Sequence, residues 1–154
     1  MLKIAFRVLT GNQYGWGNFD RQYNLALYLK NYAKIFFFVE NSKEAFDISS
    51  KKFTSYFLKN KISLKEEKKI YKNIKFDIFI YEGERLPKQN QKYYSKISNK
   101  FIIFDDNLSK TNYLCDIVFS CQLNSNFKKK NTKLKKKIKY GYKFFPIYIK
   151  KKKN

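Results

Sequence analysis

Leu2-Lys3-Ile4-Ala5-Phe6-Arg7-Val8 opens the chain as a short, largely apolar run in which Ile4, Phe6 and Val8 alternate with Lys3 and Arg7. That pattern reads as a β-strand. A glycine-bearing loop follows from Thr10 to Asn18. From Phe19 to Tyr32 the spacing changes: Phe19, Tyr23, Leu25, Ala26, Leu29 and Tyr32 share one broad helical face. Ile35-Phe36-Phe37-Phe38-Val39 is then a continuous apolar run stopped by Glu40 and Asn41, as a strand covered on both faces requires. Strand, loop, helix and strand within 40 residues make a βαβ unit, and a βαβ unit makes a parallel sheet.

The alternation continues outward from this unit. Ser42–Ser50 and Thr54–Leu58 read as short helical or irregular pieces. Ser63 and Glu66 have the spacing of a capping box, and Ile70 and Ile74 follow, so a helix is expected over 64–74. Phe76–Tyr81 and Phe101–Phe104 read as buried strands and Ile117–Phe119 as a further short one. Pro87 stands where a helix over 88–98 would begin. The expected fold is α/β, an open parallel sheet with flanking helices. The Rossmann-like domain is placed at 1–127, and 128–154 is read as a Lys-rich tail that partly returns through Ile138–Ile149. Ligands of such sheets lie at the carboxyl ends of the strands, here Leu9–Asn18, Tyr81–Arg85, Asp105–Asn107 and Ser120–Asn124.

Composition narrows the function. The chain has 154 residues and a formal charge of +22. Its basic residues are 31 Lys and only 3 Arg, and Lys, Asn, Ile, Phe and Tyr account for 90 of the 154 positions. Those amino acids have AT-rich codons, so the bulk of the charge is read as codon bias. Residues 128–154 hold 13 Lys and no acid, leaving +9 on the remainder. A basic nucleic-acid or polyanion-binding module is the alternative reading of this charge. The longest apolar stretch, Ile35–Val39, is far below the roughly 20 residues of a membrane span, and no signal-peptide pattern follows Met1, so a cytoplasmic protein is expected.

The chain contains no His. That removes Ser-His-Asp triads, Cys-His dyads and any imidazole base. Cys115 and Cys121 are spaced by six residues and give no zinc pattern, so neither metal nor cofactor is expected. Acid–base work would fall to carboxylates, Lys, Tyr or Cys.

Gly11, Gly15 and Gly17 lie between the first strand and the first helix, where backbone amides can cradle a phosphate or sugar. The loop lacks the third glycine of a dinucleotide fingerprint, that position being Asp20, and it lacks the Gly-Lys-Ser/Thr of a P-loop. A tight turn needing positive φ is the structural alternative. Trp16 can stack on a sugar or plug a packing gap. Asp105-Asp106 and Glu82/Glu84 at strand ends can hold metal or act as acid and base, or can cap turns and face solvent.

Ile4-Ala5-Phe6-Arg7 with Gly15-Trp16-Gly17-Asn18-Phe19-Asp20-Arg21 resembles the start of the nucleotide-sugar hydrolases of the pseudaminic-acid pathway and of related spore-coat polysaccharide proteins. These are glycosyltransferase-B-like proteins whose first strand runs into a Gly-x-Gly-His-x-x-Arg loop. The resemblance continues in order through Phe76–Ile80, Phe101–Asp106, Tyr113–Val118 and Tyr140–Ile147. It implies a nucleotide-sugar substrate in surface-glycan biosynthesis, with Gly15, Trp16, Gly17, Tyr81, Glu82, Asp105 and Asp106 near the substrate. It places the family's catalytic His at Asn18 and keeps its Arg at Arg21. An amide cannot take a proton at neutral pH, so hydrolysis by this chain alone is not expected. Tyr81-Glu82-Gly83-Glu84 stands where the family has an Asp-His-Tyr-like turn. The resemblance also implies a second domain, or a separate chain, that supplies most of the nucleotide site. A regulatory or scaffold partner of a glycan enzyme is a third reading.

Overall fold

Residues buried on both sides of a strand cannot alternate with solvent-facing ones, and β1 (Leu2–Leu9) shows this from Ile4 onward, where every side chain is buried. The computed structural model describes residues 1–12, 14–72, 74–83, 86–106, 113–120 and 138–140. After β1 come α1 (Gly17–Leu29), β2 (Ala33–Glu40), α2 (Lys43–Ser50), β3 (Thr54–Leu58), α3 (Leu64–Tyr71), β4 (Phe76–Glu82), α4 (Lys88–Ile97), β5 (Ser98–Phe104), β6 (Ile117–Ser120) and β7 (Ile138–Tyr140). The strands form one open sheet in the order β3-β2-β1-β4-β5-β6-β7, and every neighbouring pair is parallel. The expected α/β fold is therefore what forms. Among the described residues, no helix is long and apolar enough to cross a membrane.

Alternate side chains of each strand feed two separate cores. Ile4, Phe6 and Val8 of β1 join Ile35, Phe37 and Val39 of β2 beneath α1 and α2, which contribute Phe19, Ala26 and Ala45. On the other face Phe36, Phe38, Phe79 and Phe101 lie beneath α3 and α4, which contribute Tyr71 and Tyr94. The rings fill space by direct contact. Phe79 stacks on Tyr94 at 4.5 Å, and Phe38 meets Tyr71 edge-on at 4.7 Å.

Local signals set several boundaries. The Ser63/Glu66 capping box forms in both directions and starts α3. The Ser42 hydroxyl accepts the Ala45 N–H at 3.2 Å and starts α2. Residues 54–58, read from sequence as helical or irregular, are instead the edge strand β3, paired only to β2. The first helix begins at Gly17 and ends at Leu29, shifted from the expected Phe19–Tyr32. Most of the 128–154 segment, including the Lys128–Lys130 and Lys150–Lys153 clusters, lies outside the described residues, as do Glu84, Arg85, Cys121 and the Gly141–Ile147 part of the resemblance. Ile138–Tyr140 pairs with β6 as the last strand of the sheet.

Phe37 is fully buried and contacts Phe6, Phe19 and Phe53. Phe37→Ala is expected to destabilise the domain by about 3–5 kcal/mol. Tyr32→Ala, at a side chain 68% exposed, is expected to stay within about 0.5 kcal/mol. Urea denaturation of the two variants beside the parent measures the difference; equal losses would contradict the layered core.

Candidate functional site

The strand order reverses between β1 and β4, because the chain runs outward to β2 and β3 and then returns to the other side of β1. In open α/β sheets the ligand crevice opens at that switch, beyond the carboxyl ends of the strands. Here the loops after β1 and β4 border it.

The loop after β1 is closed on itself. Gly11 and Gly15 form a bridge, Gly15 N–H donates to the Gly11 carbonyl at 2.8 Å, and Thr10 Oγ1 donates to the Gly15 carbonyl at 2.8 Å. Gly11 has φ of +115°, and an added Cβ would sit 3.0 Å from the Asn41 carbonyl oxygen, so glycine is required there. Trp16 occupies the N-cap position of α1 without a side-chain cap. The first amides of the helix are thus left without the usual Ser, Thr or Asp acceptor, which is the arrangement that receives an anion. Trp16 is half-buried with its ring edge-on to Phe19 at 5.7 Å, so it packs at the head of the helix. Asn18 Nδ2 donates to the Leu9 carbonyl at 3.1 Å. That amide fastens the start of α1 to the end of β1 and offers no base.

Arg21, Glu82 and Asp106 meet on the α1 face of the sheet. Arg21 Nη1 donates to Asp106 Oδ2 at 2.9 Å, and Nη2 donates to Glu82 Oε1. Gln22 Nε2 donates to the other Glu82 oxygen. The Arg21 guanidinium also lies over the Phe104 ring at 5.5 Å. Burial pushes the Glu82 carboxyl up to about 7, against the opposing pull of Arg21 and Gln22. Burial alone would lower Arg21, but the Glu82 hydrogen bond and the charges of Glu82 and Asp106 raise it above its ordinary value. The cluster therefore holds a fixed cation and one carboxyl that exchanges its proton near neutrality. Asp105 turns elsewhere, accepting from Tyr113 OH at 2.8 Å. Among the described residues, no group of three or more acids or thiols is placed to hold a metal ion.

Tyr81 does not join this group. Successive side chains of a strand point to opposite faces, and Tyr81 belongs to the core under α3 and α4 while its neighbour Glu82 meets α1. On the Tyr81 side lies a second cluster that the sequence reading missed. Arg7, 4% exposed, donates from Nη2 to Glu40 Oε2 at 2.5 Å and to Glu67 Oε1 at 2.7 Å, and from Nε to Glu67 Oε1 at 3.0 Å. Tyr71 OH donates to Glu67 Oε2 at 3.3 Å, and Tyr94 OH donates to the same oxygen. The Lys61 N–H closes the set on Glu40 Oε1 at 2.7 Å. Burial holds the Tyr94 hydroxyl far above its ordinary value, and Glu67 adds to this against the lowering by Arg7, so the hydroxyl remains a donor. One signal for this cluster was present in the sequence: an Arg within a strand of a chain that otherwise uses Lys almost throughout.

Of the expected site residues, Gly15, Trp16, Gly17 and Asn18 form the loop and helix start, and Arg21, Glu82 and Asp106 form one ion cluster. Tyr81 and Asp105 stand apart from that cluster.

Two substitutions test the clusters. Arg7→Met leaves Glu40 and Glu67 buried without their guanidinium and is expected to cost about 3–5 kcal/mol; a loss below about 1 kcal/mol in urea denaturation would contradict the pairing. Glu82 is held in its protonated form more tightly by the fold than by the unfolded chain. Its contribution is full below the ordinary carboxyl value of 4.5 and is lost as pH rises through about 7. Glu82→Gln is expected to flatten stability across that window, by on the order of 3 kcal/mol relative to the parent; identical pH profiles would refute it. Beyond this geometry, no family model, no curated protein and no solved structure matches the chain.

Proposed function

We propose that this domain is the amino-terminal, glycosyltransferase-B-like half of a nucleotide-sugar hydrolase-type protein of surface-glycan biosynthesis. It receives a UDP-linked amino sugar without hydrolysing it alone. The reading rests on one observation above others: an uncapped α1 N-terminus on a closed glycine loop, beside the β1/β4 switch point. Backbone amides in that position suit the phosphates of a nucleotide. The resemblance of residues 4–7 and 15–21 to the pseudaminic-pathway hydrolases supplies the substrate class. The absence of turnover follows from Asn18, whose side chain is spent on the Leu9 carbonyl, and from Arg21, whose donors go to Glu82 and Asp106. Complementation by a second domain or a separate chain would complete the nucleotide site.

The test is amide-shift mapping of the full chain with UDP-2,4-diacetamido-2,4,6-trideoxy-β-L-altropyranose, with phosphorus NMR to follow UDP release. Weak binding, in the millimolar range, is expected to move the Gly15–Asn18 amides without release of UDP. Gly17→Asp places a carboxylate at the helix start, where an added side chain meets no neighbour, and is expected to weaken binding at least about tenfold by charge repulsion. Hydrolysis at an enzymatic rate by the chain alone, or no shifts at about 10 mM ligand, would overturn the proposal. Binding confined to DNA, with steep loss in salt, would favour the polyanion module instead.

A further inference from the structure

On the face opposite the Arg21 cluster, a cleft of about 650 Å³ opens between α3, α4 and the carboxyl edge of β1, β2 and β4. That volume lies within the range of small-molecule sites. Arg7, Glu40, Glu67, Tyr81 and Tyr94 line its depth, and Tyr14 of the glycine loop lines it from the other side. We infer that this cleft binds an uncharged, hydroxyl-bearing small molecule of sugar or polyol type. The inference stands on the cleft and does not depend on the function proposed above.

Three properties of the cluster select that chemistry. Arg7 is buried, and its Nη1 has no hydrogen-bond partner among the described residues although its other nitrogens are engaged. A buried guanidinium N–H left unmade is costly, so an occupant that brings an acceptor oxygen to Arg7 is favoured. Ammonium ligands carry no acceptor and are excluded on that ground. Anions are disfavoured for the opposite reason: the single guanidinium is already shared by two carboxylates, and a further negative charge would face their surplus. A neutral hydroxyl avoids both penalties, because a hydroxyl can accept from a guanidinium N–H and donate to a carboxylate oxygen. The walls complete the match. Leu9, Leu86 and Pro87 offer apolar surface beside the tyrosine rings, which suits the C–H face of a ring whose edge carries hydroxyls.

The experiment titrates the full chain with glucose, N-acetylglucosamine and myo-inositol, with inorganic phosphate and putrescine as charged controls, and follows the Tyr14, Lys61 and Tyr81 amides. At least one neutral probe is expected to shift them with a dissociation constant in the millimolar range, unchanged by added salt; neither charged probe should do so. Gln89→Trp adds bulk at an exposed lining position outside the ion cluster, and Tyr14→Ala removes a wall. Each is expected to weaken the neutral probe at least about tenfold with an unchanged melting temperature. Silence of all three neutral probes up to about 100 mM, tighter binding of phosphate at these amides, or shifts that persist in Gln89→Trp would overturn the inference. A UDP-sugar response at Gly15–Asn18 with neutral sugars silent at Lys61 would remove this inference and leave the earlier proposal standing; the reverse pattern would do the opposite.

Discussion

Two buried guanidinium groups, each shared by two carboxylates, tie the helical layers to the carboxyl edge of the sheet. Arg7 of β1 holds Glu40 of β2 and Glu67 of α3 on one face. Arg21 of α1 holds Glu82 of β4 and Asp106 beyond β5 on the other. The apolar cores explain why helices cover the sheet, but burial is non-directional and tolerates sliding. The ion clusters are directional. They join residues separated by 33, 60, 61 and 85 positions, and they fix where α1 and α3 sit along the strands. Desolvation makes such clusters weak contributors to net stability, so their effect is on geometry and on the cost of breaking them.

Arginine is needed for this. Its planar fork presents five donors and can serve two carboxylates at once, which an ammonium on a flexible stem does poorly. In a chain with 31 Lys and 3 Arg, both described arginines are buried in such clusters. The same compositional pressure is visible in the cores. Phe and Tyr occupy much of the space that Leu commonly fills, and stacked and edge-on ring contacts run through both layers.

The βαβ start was legible because strands covered on both faces read as continuous apolar runs, as Ile35–Val39 does. The capping box at Ser63 and Glu66 was legible because it is local. Thr54–Leu58 was not: it is an edge strand with mostly half-buried or exposed side chains, and only its pairing to β2 makes it a strand. Trp16 at the N-cap gives no helix-start signal, which is why α1 begins earlier than its apolar spacing indicates. Glu82, Asp106 and Arg21 each stood out singly at strand ends or in the loop, yet their meeting depends on sheet order. Arg7 was hidden by its own neighbours. Alternating with Ile4, Phe6 and Val8, it imitates the solvated side of a strand, and only the cover of α3 and α4 shows that side to be interior.

Both clusters face the same surplus of one carboxylate over the guanidinium, and they resolve it differently. On the α1 face, burial raises the Glu82 carboxyl to about 7, so its charge changes across neutral pH while Arg21 and Gln22 donate to its two oxygens. On the α3/α4 face, the hydroxyls of Tyr71 and Tyr94 both donate to Glu67, and the Lys61 N–H donates to Glu40. There the carboxylates are satisfied by donors, while one guanidinium nitrogen remains without an acceptor among the described residues. Gln22 Oε1 beside the first cluster is likewise without a partner among the described residues, while the second cluster lines a cleft. Tyr81 and Glu82, adjacent on β4, carry one wall of each. The pleat of a single strand separates a joint whose charge follows pH from a cleft lined by hydrogen-bonding groups.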